Sequence, residues 1–238
     1  MYDTNSTTSS VPTSAAADDA IDAAIAALRD GEAVLVHDFA DREGETDIIY
    51  PAGAVEPKDV VRLREDAGGL ICVAVSDTVA DAFGLPFLED EIDHPSATSH
   101  DLAYDSRSSF SLPVNHRETF TGITDVDRAL TITELAAAAD RAADDPETYT
   151  PETFAESFRS PGHVHVLRGA PSLLADRTGH TELGLALASA AGLPPAVVVC
   201  EMLDGASGVA RTPADAAAYA DAHDLIYLEG ETIVDRLG

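Results

Sequence analysis

The sequence has no tryptophan, one lysine and two cysteines among its 238 residues. Aromatic residues make up only 5% of the chain, against 45% for hydrophobic residues as a whole, so the core must be aliphatic. Cys72 and Cys200 lie in separate apolar runs, which predicts two buried thiols in a reducing compartment rather than a disulfide framework. Two cysteines are also too few for a thiolate zinc site.

Positive charge is scarce as well, and its scarcity excludes two classes of partner. The chain has 14 Lys+Arg against 43 Asp+Glu and a formal net charge of −29. Nucleic acids and anionic membranes would therefore be repelled. An acidic chain in which Lys58 is the only lysine is typical of proteins adapted to molar salt, where a short Debye length screens self-repulsion. An ordinary acidic protein from a low-salt cytoplasm is the alternative.

Long apolar runs and several common motifs are also missing. No apolar stretch reaches 18 residues, and the N-terminus lacks the basic and then apolar pattern of a signal peptide, so we expect a soluble, cytoplasmic protein. The sequence contains no GxGxxG after a predicted strand, no Walker loop and no serine nucleophile elbow. These absences argue against a nicotinamide enzyme, a P-loop nucleotidase and a serine hydrolase.

Apolar strands and amphipathic helices alternate along most of the chain. Residues 1–17, rich in Ser, Thr and Ala, predict a disordered tail, and residues 18–238 predict one domain that opens with a helix capped by Asp18 or Asp19. The alternation indicates an α/β fold, with a mixed β-sheet flanked by helices in an α/β/α sandwich. Further helices are predicted at 56–67, 133–142, 180–191 and 213–223, and strands at 33–36, 48–50, 70–75, 108–114, 164–167, 196–202 and 225–228.

An acidic cluster directly follows the first predicted strand. The segment Asp41-Arg42-Glu43-Gly44-Glu45-Thr46-Asp47 places four carboxylates within seven residues, where they repel one another unless Arg42 or a bound cation offsets their charge. Oxygen-rich clusters of this kind suit Mg²⁺. A solvated loop is the alternative, because so acidic a chain produces such runs by chance.

The start of the helix predicted at 180–191 is a second candidate site. The segment Arg177-Thr178-Gly179-His180-Thr181 combines a cation, hydroxyl groups and the free backbone N–H groups of a helix N-terminus. Together these groups suit a bound phosphate. Simple helix capping is the alternative.

Three further segments carry polar or reactive side chains. Ser160-Pro161-Gly162-His163 predicts a turn that places a histidine, the natural proton carrier near neutral pH, at the mouth of a strand. Glu201 ends a buried strand, where open α/β sheets bind ligands and where partial burial would raise its pKa. Thr121 lies in a Thr-Gly-Ile-Thr segment that offers hydroxyl groups. An ordinary surface histidine and a polar turn are the alternatives for the first and third segments.

Taken in order, these motifs resemble those of the 3,4-dihydroxy-2-butanone 4-phosphate synthases of riboflavin biosynthesis. The resemblance begins near residue 18 and runs to the C-terminus, but residues 84–116 match poorly and leave their substrate contacts unassigned. It implies a lyase that uses Mg²⁺ or Mn²⁺ to convert D-ribulose 5-phosphate to 3,4-dihydroxy-2-butanone 4-phosphate and formate. It also implies a homodimer with its active site near the subunit interface. The matching stretches are 41–47, 69–72, 121–124, 127–128, 161–164, 177–182 and 200–201.

The resemblance also implies roles for individual residues. Glu43 and His180 would hold the metal. His163 and Glu201 match positions that are essential in the family. The chemistry of the reaction allows Glu201 or a carboxylate of the acidic cluster, such as Asp41 or Glu45, to take the C1 proton, and His163 to carry protons to and from hydroxyl groups. The implied substrate-binding residues are Arg42, Asp47, Arg177, Thr178, Gly179, His180, Thr181, Glu201 and Thr121.

Two other functions compete with the lyase. The first is another metal-dependent sugar-phosphate enzyme, an isomerase or aldolase, which would use the same enediolate chemistry without releasing formate. The second is a catalytically silent binding protein of the same fold. The presence of Glu43, His163, His180 and Glu201 argues against the silent protein.

The net charge of −29 predicts that dilute buffer destabilises the fold. Self-repulsion is screened beyond roughly 3 Å at 1 M salt but reaches roughly 30 Å at 0.01 M. The thermal unfolding midpoint, followed by circular dichroism, should therefore rise by several degrees between dilute and molar KCl. Sucrose at matched osmolality is the control, because it stabilises proteins without screening charge. A midpoint that sucrose raises as much as KCl does would contradict the electrostatic explanation.

Overall fold

A mixed β-sheet forms the centre of the structure, a computed structural model that describes residues 14–97, 105 and 107–238. Its strands are β1 (Val34–His37), β2 (Thr46–Pro51), β3 (Cys72–Val75), β4 (Val114–His116), β5 (Phe158–Arg168), β6 (Ala196–Glu201) and β7 (Ile226–Glu229). The helices are α1 (Ser14–Arg29), α2 (Pro57–Glu65), α3 (Asp77–Phe83), α4 (Leu88–Glu91), α5 (Asp125–Asp144), α6 (Pro151–Ser157), α7 (His180–Ala191), α8 (Pro213–Ala222) and α9 (Gly230–Leu237).

Within the described residues, the seven strands follow the order β4-β5-β3-β6-β2-β1-β7. The pairs β3–β5 and β1–β7 are parallel, whereas β1–β2, β2–β6, β3–β6 and β4–β5 are antiparallel. The sheet is therefore mixed, as predicted. Of the described helices, none combines the length and the apolar character that crossing a bilayer requires.

Two aliphatic cores lie on opposite faces of this sheet. On one face, α1, α7 and α9 pack against alternate strand residues such as Val36 and Val199. On the other face, α2, α3, α5, α6 and α8 cover residues such as Val73 and Val198. Because successive strand residues point to opposite faces, the continuous apolar runs of the central strands supply both cores. The predicted α/β/α sandwich is confirmed.

The N-terminal helix starts earlier than predicted. It begins at Ser14 rather than at Asp18 or Asp19, because Ala15, Ala16 and Ala17 are strong helix formers. Residues 14–17 are therefore helical and not part of a disordered tail. The rest of that predicted tail, residues 1–13, lies outside the described residues.

The prediction of a regular strand at 108–114 is wrong. In that segment Phe110 makes only an isolated bridge to Leu167, and the regular strand β4 begins at Val114. Pro113 directly precedes β4 and has no N–H group to donate to a strand ladder, so alternating polarity there does not produce regular pairing.

The helix predicted at 133–142 is the second half of a longer one. Helix α5 begins at Asp125, and the side chain of its N-cap residue Thr124 accepts a hydrogen bond from the backbone N–H of Asp127. The β-branched residues of its first half have weak helix propensity, which hid those turns from a pattern-based prediction.

A threonine of α5 fixes the edge strand β4. Thr131 is fully buried; its Oγ1 accepts a hydrogen bond from the His116 N–H at 3.0 Å and donates one to the Asp127 carbonyl at 3.0 Å. The next residue back along β4, Asn115, accepts a hydrogen bond from the backbone N–H of His163 at 2.8 Å. The position of His163 therefore depends on this helix–strand contact.

Replacing Thr131 with valine should lower the free energy of unfolding by about 1–3 kcal/mol, because the buried His116 N–H loses its acceptor. Thr133→Val is the matched control on the same helix, since the Thr133 hydroxyl bonds only to carbonyls of its own helix. Chemical denaturation of both variants in high salt measures the difference. Equal losses in the two variants would contradict the role assigned to Thr131.

Candidate active site

A cavity of about 230 Å³ lies on the α7 side of the sheet. Asp47 of β2 and Glu201 of β6 form one wall, and His180 and Thr181 from the first turn of α7 form another. Asp47 and Glu201 are more than 150 positions apart in the sequence, and the sheet order brings them together because β2 and β6 are neighbours. Arg177 and Glu43 complete the part of the lining that was predicted.

Two carboxyl groups face each other across adjacent strands. The antiparallel register pairs Asp47 with Glu201, and directly opposite residues in such a pair have Cβ atoms roughly 5 Å apart. Burial raises the pKa of Asp47 well above its ordinary value. Burial also raises the pKa of Glu201, and the nearby charge of Glu43 adds to this effect. A carboxyl group with a raised pKa is suited to exchanging protons near neutral pH.

A buried histidine lies between carboxylates. His180 Nδ1 lies 3.6 Å from Glu43 Oε2, and His180 Nε2 lies 3.6 Å from Asp47 Oδ1. Burial alone would lower the pKa of His180, but the charges of Asp47, Asp38 and Glu43 raise it to about 9. In return, the contact with His180 holds the pKa of Glu43 below its ordinary value.

The same group of residues fits a divalent cation. Asp38, Glu43 and His180 each offer one ligand atom, and these atoms lie within 4.8 Å of one another. Asp47 Oδ1 and His180 Nε2 are buried and find no hydrogen-bond partner among the described residues. Buried polar atoms normally have a partner, so these two have capacity for one. Carboxylate oxygens with one imidazole suit a hard cation that keeps several water ligands.

Asp38 is a member of this group that the sequence did not reveal. It directly follows β1, three residues before the cluster that was singled out. Its carboxylate accepts hydrogen bonds from the backbone N–H groups of Glu43 at 3.4 Å and Glu45 at 3.1 Å. Asp38 thus shapes the acidic loop as well as adding a ligand. Its position at the end of a buried strand was the available signal.

Two arginines converge beside this group. Arg42 Nη2 donates to Asp105 Oδ2 at 2.9 Å, and Arg177 Nε donates to the same oxygen at 2.5 Å. Arg177 also donates to Ser109 Oγ and, at 3.2 Å, to Glu182 Oε2. Because Glu182 is fully buried, it fixes the Arg177 guanidinium against the first turn of α7.

A glycine allows the arginines to reach the helix. Gly179 is the N-cap residue of α7, and a Cβ there would lie 3.2 Å from Arg42 Nη2 and 3.3 Å from Arg177 Cζ. Larger residues would push the guanidinium groups away from the helix N-terminus. Thr181 lines the cavity, whereas Thr178 and Arg42 do not.

Two of the predicted residues outside the cavity lining, His163 and Thr121, lie near each other. The segment 160–163 belongs to the long strand β5 and is not a turn before a strand; it forms an irregularity at which the register between β5 and β4 shifts. There the His163 ring contacts the Asn115 side chain. A Cβ on Gly122 would overlap that same side chain, so the turn carrying Thr121 lies beside His163.

Strands β5 and β6 lie on opposite sides of β3. Cys72 of β3 pairs with His165 of β5 and with Val199 of β6. His163 and Glu201 therefore belong to strands that do not pair with each other and have β3 between them.

The remaining acidic candidates differ in their surroundings. Asp41 is exposed and does not line the cavity. Glu45 is half-buried and also lies outside the lining. Burial, followed by the charges of Glu201 and Glu43, raises the pKa of Glu45.

Several residues of the lining were missed by the sequence analysis. Arg107, Ser109 and Phe110 come from the stretch that the motifs left unassigned, and Cys72 was predicted only as a core residue. They enter the lining through irregular backbone and packing, so no periodic pattern marks them.

Comparisons with known proteins identify this arrangement. A family model described as 3,4-dihydroxy-2-butanone 4-phosphate synthase matches residues 22–236. A synthase of that name from Archaeoglobus fulgidus is 48% identical over 219 residues, covering 88% of this chain and 90% of the relative. One from Methanosarcina acetivorans is 45% identical over 225 residues, covering 90% of each.

Solved structures agree with these relatives. The synthase of Candida albicans superimposes with a TM-score of 0.73 at 28% identity, covering 92% of this chain and 97% of that one. A synthase structure in complex with two magnesium ions superimposes with a TM-score of 0.71 at 28% identity, covering 90% of this chain and 94% of that one.

Proposed function

The chain belongs to the family of 3,4-dihydroxy-2-butanone 4-phosphate synthases, which are lyases of riboflavin biosynthesis, and we propose that it converts D-ribulose 5-phosphate to 3,4-dihydroxy-2-butanone 4-phosphate and formate. The observation that carries this proposal is the convergence of three carboxylates, one histidine and Arg177 around one cavity, with Arg42 beside it. The two buried free cysteines and the net charge of −29 support a cytoplasmic enzyme adapted to high salt.

Glu43 and His180, with Asp38, would hold the cation, which we propose to be Mg²⁺ or Mn²⁺. Their ligand atoms are close enough to share one ion, and one structural relative is described in complex with two magnesium ions. A cation bound there would polarise the ketone and hydroxyl oxygens of the sugar. Asp47 would orient His180, because its Oδ1 faces the imidazole Nε2.

The phosphate group would bind at the start of α7. Arg42 and Arg177 supply two guanidinium groups, and Thr181 supplies a hydroxyl group. Thr178 and Gly179 would contribute backbone at the helix N-terminus, which favours a negative charge. Charge-assisted hydrogen bonds from arginine give both strength and orientation.

Glu201 is the best-placed base for the C1 proton next to the ketone. It lines the cavity, and burial raises its pKa, so it can take up a proton and return it near neutral pH. Glu45 is the next candidate because it is electrostatically coupled to Glu201. Asp41, which is exposed, is the weakest of the proposed catalytic residues.

His163 and Thr121 would complete the site from a second copy of the chain. Three apolar side chains near Thr121 are exposed to solvent: Phe120 by 92%, Ile123 by 51% and Val126 by 65%. So many exposed apolar side chains in one short segment are typical of an interaction surface. A homodimer would cover them.

Exposed leucines next to the cavity provide a matching surface. Leu203 follows Glu201 by two residues, and Leu70 precedes β3 at the same end of the sheet; both are exposed. If the Phe120 segment of one copy packs against these leucines, it carries Thr121 and His163 of that copy toward the other copy's cavity. The proposed homodimer thus accounts for the position of both residues.

Incubation of the purified protein with ribulose 5-phosphate and Mg²⁺ in high salt should release one formate per substrate consumed, and EDTA should abolish the release. Formate is measured with a coupled dehydrogenase. Consumption without formate would instead indicate an isomerase or aldolase. No turnover in a sample shown to be folded would indicate a silent binding protein.

Glu201→Gln should lower turnover by at least ~100-fold, the usual scale for a lost proton-transfer group, without changing the affinity for substrate. Glu229→Gln is the matched control, since Glu229 also ends a strand but is exposed on β7. Steady-state rates and calorimetric binding of ribulose 5-phosphate separate the two effects. Substantial residual turnover in Glu201→Gln would count against the proposed base.

Mixing two inactive variants tests the shared site. His163→Ala and Glu201→Gln, unfolded together and refolded as an equal mixture, should regain about one quarter of wild-type activity, because half of the dimers carry one intact site. Each variant refolded alone is the control. A mixture that stays inactive would place His163 and Glu201 of one chain in the same site.

A further inference from the structure

A carboxylate already occupies the space between the two arginines of the proposed phosphate site. Asp105 Oδ2 accepts hydrogen bonds from both Arg42 and Arg177, and the Asp105 side chain is only 8% exposed. We propose that Asp105 competes with the substrate phosphate for these arginines and thereby selects doubly charged phosphate groups over singly charged anions. This proposal rests on the function proposed above.

The arginines have more binding capacity than one carboxylate uses. Arg42 Nε is buried and finds no hydrogen-bond partner among the described residues; the nearest carboxylate oxygen in an ion pair with it, Asp38 Oδ2, lies 3.9 Å away. Gly179 leaves room for both guanidinium groups at the start of α7. A phosphate group, with three terminal oxygens, can use donors that a carboxylate leaves unpaired.

Charge explains the selectivity. Asp105 and the buried Glu182, which forms an ion pair with Arg177 at 3.2 Å, each carry one negative charge and together offset the two guanidinium charges. Replacing Asp105 with acetate or another singly charged anion leaves the charge of the site unchanged. A phosphate dianion brings two charges to the same two arginines and the same helix N-terminus, so it replaces the Asp105 carboxylate with a stronger ion pair, which a singly charged anion does not.

A neighbouring cavity offers a place for the displaced carboxylate. A second cavity of about 290 Å³ is lined by Asp105 and shares Arg107, Ser109 and Arg177 with the catalytic cavity. Arg107 Nε is buried and has no hydrogen-bond partner among the residues described; the nearest carboxylate oxygen in an ion pair with it, Glu89 Oε1, lies 3.6 Å away. Asp105 therefore contacts the arginine pair and lines a second cavity that contains a further guanidinium group.

The test measures binding of inorganic phosphate and of acetate to the full chain by calorimetry, in one high-salt buffer at about pH 8, where phosphate is mostly a dianion. Asp105→Asn should bind phosphate about tenfold more tightly than the wild type, the effect of removing one competing charge near two cations. It should also bind acetate, which the wild type should not. Asp105→Ser provides a second variant if the asparagine protein does not fold.

Asp90→Asn is the matched control. Asp90 forms an exposed ion pair with Arg107 at 2.6 Å, so this variant removes one negative charge nearby without touching Arg42 or Arg177. Phosphate binding by Asp105→Asn that is no tighter than binding by Asp90→Asn would overturn the proposal and leave Asp105 as a support for the arginines. The proposal would also be overturned if the wild type bound acetate as tightly as it binds phosphate.

Formate release by the wild type is measured separately and distinguishes the two proposals. If the wild type releases formate but Asp105→Asn binds phosphate no more tightly, the proposed competition is overturned and the proposed lyase activity is not. If Asp105→Asn binds phosphate more tightly but the wild type releases no formate, the competition is supported and the lyase activity is overturned.

Discussion

The register between β2 and β6 is the constraint on which the site depends. It places Asp47 opposite Glu201 on the face covered by α7, and a slip of one strand by one residue would turn its carboxyl group to the opposite core. Residues behind them hold this register, because Ile49 and Val199 are buried in the core on the same face. A polar pair is thus carried at the end of strands that are otherwise aliphatic, and the burial that stabilises the sheet is also what raises the pKa of each carboxyl group.

Helix α7 supplies the opposite sign of charge to the same place. Its first residue, His180, faces the carboxylates, and its N-cap glycine lets two guanidinium groups approach. The helix is held by a largely buried apolar surface, which fixes the position of its N-terminus. The cationic half of the site is therefore positioned by α7 and the anionic half by β2 and β6. Each half offsets the charge of the other, so neither is a buried cluster of unpaired charges.

Elements with a clear hydrophobic period were the predictable part of the molecule. The helix at 180–191 and the buried strands were anticipated to within a few residues, because burial on a sheet or helix face leaves a periodic record in the sequence. Glu43, His180 and Glu201 were singled out in three separate segments, and the resemblance joined Glu43 with His180; the structure shows all three lining one cavity. Arg107 and Ser109 were not, because they reach the cavity from an irregular segment in which Pro113 interrupts the ladder.

The turn predicted before His163 was wrong for a different reason. Proline and glycine at 161 and 162 suggested a turn, but a bulge tolerates both residues, and β5 continues through them at the point where its register with β4 shifts. Asp38 escaped notice because a single acidic residue in a chain with 43 of them carries no pattern. In both cases the deciding information is a contact between distant segments, which local sequence does not contain.

The cationic pocket within a strongly acidic surface also has a kinetic consequence. An anionic sugar phosphate approaching a protein of net charge −29 meets repulsion at long range and attraction only within the last few ångströms, near Arg42 and Arg177. Diffusional encounter is then slowed in dilute solution and recovers when the Debye length becomes shorter than the distance at which repulsion acts. In concentrated salt a sugar phosphate would sense little beyond the pocket itself, so the salt that we expect to stabilise the fold would also open the approach to the site.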